Sequence, residues 1–215
     1  MDASFWHAKW EKGEIGFHLD EVNPLLVDYL GALNLPLGSR IFLPLCGKTR
    51  DIPWLLAAGY QVVGAELSRL AIEQLFADLG VTPSVVESAG QVRFSADGLD
   101  VVCGDIFELS AAELGRVDAI YDRAALVALP EPQRSRYAQH LVEISAGARQ
   151  LLIAYDYDQT SQNGPPFSVN PEQVRRLYSQ RYTLHLLASV DVAGGLRGKC
   201  PATEHVWRLE SLSVA

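Results

Sequence analysis

Five short runs rich in valine, isoleucine and leucine recur along the chain at residues 39–45, 60–65, 99–103, 117–121 and 150–155. None alternates cleanly between apolar and polar residues, which is the pattern of strands covered on both faces in a parallel sheet. Stretches with helical signals fill the gaps. Asn23-Pro24 reads as an N-cap with proline at the first helical position, opening a helix through Leu33. Ser68 caps a second helix, in which Ile72, Leu75, Phe76 and Leu79 share one face and Gly80 closes the end. Residues 130–145 form a third, and Asn170-Pro171 opens a fourth. Two late apolar segments, 183–192 and 204–212, have only loop between them and predict an antiparallel hairpin at the sheet edge. Residues 81–90 and 158–166 read as loops; the second contains Gln-Asn-Gly-Pro-Pro, which continues neither helix nor strand.

Five strand–helix units and a terminal hairpin predict an α/β fold: a three-layer, doubly wound, Rossmann-like sheet of about seven strands, mostly parallel. The length of 215 residues fits a single domain over 1–215. Such sheets bind ligands beyond the carboxyl ends of their strands, near the point where the strand order reverses. Candidate functional residues are therefore those directly after each early strand.

Leu45-Cys46-Gly47-Lys48 follows the first run. A dinucleotide site would carry G-x-G-x-x-G here, so that backbone amides can hold a pyrophosphate. A single glycine supports a tight turn and one close backbone approach, or an ordinary strand–helix turn. A ligand without phosphate, such as S-adenosylmethionine, suits it better than NAD or FAD. Glu66 ends the second run, about 20 positions beyond Leu45, where an acidic residue accepts hydrogen bonds from ribose hydroxyls; the other reading is a solvated carboxylate at a helix cap. Asp105 and Ile106 follow the third run. Asp105 is placed to accept from an adenine amine or to cap the next turn, and Ile106 to cover a ring face. Arg123 emerges after the fourth run beside the apolar stretch Ala-Ala-Leu-Val-Ala-Leu. A guanidinium so placed is partly desolvated and needs an anionic partner, either a ligand or a salt bridge to Asp122 or Glu66.

The first twenty residues hold Phe5, Trp6, Trp10, Phe17 and His18. Trp6 and Trp10 are spaced to share a helix face. Such a helix either packs on the sheet or forms a lid over residues 1–20 that brings aromatic faces to a sulfonium. His18 alone reads as a hydrogen-bonded surface histidine.

Composition removes other classes. Lys plus Arg number 18 against 26 Asp plus Glu, a net charge of −8, and no basic run occurs, so nucleic acid and anionic membrane are poor partners. No apolar run approaches the roughly 18 residues that span a bilayer. Cys46, Cys103 and Cys200 show neither disulfide nor metal-ligand spacing, and the start of the chain is no signal peptide, so a reducing, cytoplasmic location is expected. No Ser–His–Asp or Cys–His arrangement is evident, and no apolar stripe calls for a partner subunit, so a monomer is expected.

The runs Lys-Trp-Glu-Lys-Gly-Glu-Ile-Gly-Phe-His, Arg-Ile-Phe-Leu-Pro-Leu-Cys-Gly-Lys, Val-Val-Gly-Ala-Glu-Leu-Ser, Asp-Ile-Phe-Glu-Leu, Ile-Tyr-Asp-Arg-Ala-Ala-Leu-Val-Ala-Leu and Tyr-Asp-Tyr-Asp-Gln-Thr-Ser-Gln-Asn-Gly-Pro-Pro-Phe-Ser-Val keep their order from about Lys9 to Val169. Together they resemble the thiopurine S-methyltransferase family, in its compact bacterial form. The resemblance implies a class I methyltransferase using S-adenosylmethionine, with Trp10, Leu45, Glu66, Asp105, Ile106 and Arg123 at the cofactor. It implies Phe17, Arg123 and Pro165, in the loop 164–167, at the substrate, and Arg123 as the catalytic residue. Acceptors would be small aromatic or heterocyclic thiols such as thiopurines, and selenium or tellurium compounds. The stretch around Arg197 and Lys199 departs from the family pattern and leaves their roles open. Two other readings stay in play: a non-catalytic adenosyl-ligand-binding protein on the same scaffold, and a methyltransferase with an oxygen or nitrogen acceptor.

Overall fold

The computed structural model describes residues 3–88 and 91–212. Helix α1 (Ala3–Glu11) and α2 (Pro24–Tyr29, continued by a 3-10 turn over Leu30–Leu33) precede an alternation of strand and helix. That alternation runs β1 (Arg40–Pro44), α3 (Asp51–Ala57), β2 (Gln61–Glu66), α4 (Arg69–Leu79), β3 (Ser84–Ser88), β4 (Gln91–Ala96) and β5 (Leu99–Cys103). It continues with α5 (Ala111–Leu114), β6 (Ala119–Arg123), α6 (Glu131–Ile144), β7 (Arg149–Tyr157), α7 (Pro171–Tyr178), β8 (Tyr182–Asp191) and β9 (Ala202–Ser211). The sheet order is β3-β4-β5-β2-β1-β6-β7-β9-β8. The central pairs β5–β2, β2–β1, β1–β6 and β6–β7 are parallel. Strand β9 lies antiparallel between β7 and β8, as the terminal hairpin predicts.

Nine strands are described where about seven were expected. The difference lies at the other edge. Residues 81–90 read as loop, yet Ser84–Ser88 pairs antiparallel with Gln91–Ala96, which in turn pairs with β5. Val85 and Val86 are both exposed, at 43% and 57%, so this edge strand buries no stripe that hydropathy could reveal. Its signal was β-branched content alone.

The central strands explain why the apolar runs do not alternate. In β1, Phe42 enters one core with Ile120, Tyr137, Leu141 and Leu152, while Ile41 and Leu43 enter the other with Leu26, Ile52, Leu55 and Ile72. Helices therefore cover both faces, and polar residues are displaced to the strand ends. The helix starts form as their caps dictate. The Asn23 carboxamide accepts from Leu25 N at 2.8 Å, Ser68 Oγ from Ala71 N at 3.3 Å, and Asn170 from Gln173 N at 2.9 Å. Gly80 takes the left-handed C-cap at φ +69°. Among the described residues no helix is long and apolar enough to cross a membrane.

Candidate active site

The strand order turns at β1, whose neighbours are β2 on one side and β6 on the other. Beyond the carboxyl ends of these strands lies a cavity of about 520 Å³, within the roughly 300–1,000 Å³ common for small-molecule sites. Trp10, Phe17, Leu45, Glu66, Asp105, Ile106, Arg123 and Pro165 all line it. Sequence positions spread over more than 150 residues thus share one wall.

The first turn is tightly held. Leu45 adopts φ +48° and Gly47 φ +53°, a region that costs a residue other than glycine roughly 1–2 kcal/mol. Cys46 N still reaches back to Ala65 O at 3.0 Å, extending the sheet by one bond. A Cβ on Gly47 would stand 3.1 Å from Trp10 Cζ2, so the indole of α1 rests directly on the turn. Trp10 and Trp6 both meet the Phe17 ring edge-on, at 5.6 and 5.7 Å between centroids. The amino-terminal aromatics therefore form one wall of the cavity.

Glu66 is 6% exposed, which removes the solvated-cap reading. Its Oε2 accepts from Gly47 N and its Oε1 from Ser68 N, both at 2.8 Å. Burial pushes its carboxyl up, while the Ser68, Gly47 and Leu67 amides hold it down. A carboxylate has room for about four hydrogen bonds, so these amides leave capacity toward the cavity. Asp105 does cap a turn, with Oδ1 accepting from Phe107 N at 2.9 Å, and it also lines the cavity from an exposed position. Ile106 is buried beneath it.

Neither proposed salt bridge of Arg123 forms. Asp122 is wholly buried and points away: Oδ2 accepts from Tyr137 Oη at 2.8 Å and Oδ1 from Leu126 N at 3.1 Å. Arg123 instead donates from Nη1 to Phe17 O at 3.3 Å, and its Nε is buried without a partner. The next residue, Ala124, is again left-handed at φ +65°.

Burial raises the Asp122 carboxyl to about 6, against the amides of Leu126 and Ala125 and the Tyr137 hydroxyl. A folded-state value above the unfolded one contributes stability that is complete below the unfolded pKa and is lost as pH rises through the folded one. Wild type should therefore gain about 1.4 kcal/mol over Asp122→Asn as pH falls from 7 to 5. Denaturant unfolding of both proteins at the two pH values measures this; a constant difference contradicts it.

Other predicted features are placed less centrally. His18 lines the cavity, partly buried, and burial together with Lys48 and Arg50 lowers its pKa. Pro165 and Pro166 line the cavity, whereas Phe167 closes over Gly164 and lies beneath the Arg134 guanidinium. Arg197 reaches the cavity, but Lys199 faces a separate depression with Asp156 and Asp191. A serine–histidine–aspartate contact, unseen in the sequence, does assemble across three strands. Ser189 Oγ is 2.8 Å from His205 Nδ1, and His205 Nε2 is 3.4 Å from Asp156 Oδ2. None of the three lines the cavity.

Among the wall residues that escaped the sequence reading are three polar ones deep in the site, Asp51, Tyr121 and Tyr155. Asp51 caps nothing; its oxygens accept from Asn23 N at 2.8 Å and Tyr121 Oη at 3.1 Å. Tyr121 stands two before Arg123 on β6, so strand periodicity was a usable signal for it. Asp51 had none, because its partners are 28 and 70 residues away.

A family model described as thiopurine S-methyltransferase matches residues 1–211. The chain belongs to the thiopurine S-methyltransferase family. It is 53% identical to a thiopurine S-methyltransferase of Xanthobacter autotrophicus over 98% of this chain and 99% of that one. With a thiopurine S-methyltransferase of Gluconobacter oxydans it shares 48% identity over 98% and 96%. In fold it is similar to the Burkholderia thailandensis 1,6-didemethyltoxoflavin-N1-methyltransferase, a structure with bound S-adenosylhomocysteine. That match has a TM-score of 0.67 at 15% identity, covering 97% of this chain and 87% of the other. The protein is thus a methyltransferase with S-adenosylmethionine as methyl donor. The turn agrees with that donor: one glycine, no phosphate cradle, a buried carboxylate with spare lone pairs, and an unpaired guanidinium nitrogen.

Proposed function

We propose that this family member transfers the methyl group to the sulfur of small aromatic or heterocyclic thiols, and to selenium or tellurium compounds of like charge. The observation that carries the reading is the Arg123 side chain. It lies in the cavity wall with Phe17 and Pro165, forms no salt bridge among the described residues, and keeps Nε buried and unbonded. A buried unpaired donor costs about 1–3 kcal/mol, and a soft anion in the cavity would recover it.

In this reading Glu66 holds the ribose hydroxyls, Ile106 covers the adenine and Asp105 meets its amine. Trp10 and Leu45 shape the turn beneath the methionyl chain. When bound, S-adenosylmethionine supplies an electrophilic methyl on a positive sulfur. Arg123 favours the anionic form of the acceptor and orients it, since a guanidinium with pKa above about 12 cannot serve as a base. Phe17 and Pro165 clamp the acceptor ring, and positioning supplies most of the acceleration. The lid expected over residues 1–20, of which 1 and 2 lie outside the described residues, excludes water and strengthens each charge interaction.

An acceptor screen with methyl-labelled cofactor tests the reading. Thiophenol and 6-mercaptopurine should be methylated, with selenite and tellurite as slower acceptors. Turnover confined to catechols or amines would remove the sulfur assignment.

A further inference from the structure

One group of polar side chains in the cavity wall has no part in the scheme above. Tyr155 on β7 stands directly opposite Glu204 on β9 in the antiparallel register. Cross-strand partners so placed have Cβ atoms about 4.5–5.5 Å apart. Tyr155 stands beside both the Glu204 carboxylate and the Arg123 guanidinium: burial and Glu204 push its hydroxyl's pKa up, and Arg123 pulls it down. Tyr155 lines the cavity, while Glu204 sits behind it, partly buried. The charged and titratable groups facing Glu204 are Tyr155, Arg123 and, at longer range, Tyr121.

We propose that Tyr155 and Glu204 form a proton-accepting arm that lets the enzyme use thiols that are not already ionised. The inference rests on the thiol-acceptor reading. A phenol has one O–H donor and two acceptor lone pairs. In the proposed arm the donor turns to Glu204, its cross-strand neighbour, and a lone pair is left for the acceptor in the cavity that Tyr155 lines. The acceptor's S–H bond breaks and its proton passes to Tyr155 Oη as the phenolic proton passes to Glu204. The electron pair stays on sulfur, beside Arg123. That sulfur then bonds to the methyl carbon as the carbon's bond to the donor sulfur breaks, leaving a thioether and S-adenosylhomocysteine. Glu204 returns the proton to water between turnovers. Tyr155 is the catalytic group, and Glu204 is a positioning residue that acts through it. Burial raises the Glu204 carboxyl, against the neighbouring Tyr155 hydroxyl and the Arg123 charge, making it a better proton acceptor than an exposed glutamate.

The test compares two acceptors of different acidity: 4-nitrothiophenol, ionised at neutral pH, and benzyl mercaptan, which is not. Tyr155→Phe and the isosteric Glu204→Gln should lower kcat/KM for benzyl mercaptan about 100-fold, the usual size of a general-base contribution. The loss for 4-nitrothiophenol should be about tenfold smaller. Calorimetry with S-adenosylhomocysteine checks that each variant is folded and binds. Equal losses on the two thiols would mean a merely structural pair and overturn the inference, while leaving the thiol reading intact. No turnover of either thiol by the wild type overturns both.

Discussion

Arg123→Ala is expected to lower kcat/KM for a thiol acceptor about 10³-fold while S-adenosylhomocysteine affinity changes only several-fold. The size follows from losing a preorganised, water-excluded donor at developing or resident negative charge, typically worth about 10²–10³ in rate. The asymmetry follows from geometry. Among the described residues the side chain is held by its Nη1 bond to Phe17 O, and Phe17 belongs to the aromatic wall rather than to the turn around Gly47. The residues proposed to hold the adenosyl group, Glu66 at the end of β2 and Ile106 in the 3-10 turn after β5, lie on other elements and should keep their contacts when Arg123 is truncated. Arg123→Lys should recover little. A point ammonium on a flexible stem cannot bond at once to Phe17 O and to a cavity anion as a planar fork can. Equal losses in turnover and in cofactor affinity, by steady-state kinetics and calorimetry, would make Arg123 a binding residue only.

Glu66→Ala should act on both stability and cofactor binding. The carboxylate accepts from Gly47 N and Ser68 N, one amide from the turn after β1 and one from the start of α4. Its removal leaves two buried N–H groups unpaired, at about 1–3 kcal/mol each, so unfolding free energy should fall by about 3 kcal/mol. If Glu66 holds the ribose hydroxyls as proposed, losing those charged hydrogen bonds should add about 3 kcal/mol to the binding free energy, roughly 100-fold in Kd. Glu66→Gln separates the effects. It retains an oxygen for one amide but turns its NH₂ against the other, and it is neutral at all pH values. Denaturant titration and S-adenosylhomocysteine calorimetry report the two losses independently. Wild-type affinity in Glu66→Ala would move the ribose contact to another residue.

What the sequence disclosed and what it hid follow from the range of the interactions. The central strands were legible because Phe42, Ile41, Val63 and Val62 bury both faces and leave an uninterrupted apolar run. The residues at their ends were legible because a parallel sheet brings its carboxyl termini together whatever the loops do. Strand β3 was hidden because Val85 and Val86 face solvent and only pairing with β4 orders it. Glu204 was hidden because its meaning depends on standing across from Tyr155, and that register is set by the sheet. Asp122 and Arg123 are neighbours whose opposite fates, one sealed against Tyr137 and one open to the cavity, follow from strand alternation once burial is known.

Leu45 and Ala124 hold unfavourable backbone angles at the ends of two adjacent strands, with the cavity between them. Heat tolerance and catalytic competence therefore pull these two positions in different directions. Selection for thermal survival alone would relax them, through glycine or asparagine, and let the rim of the pocket drift. An engineer seeking a hardier enzyme does better to work far from this rim, at the exposed valines of the β3 edge, where no reacting group depends on the shape of the chain.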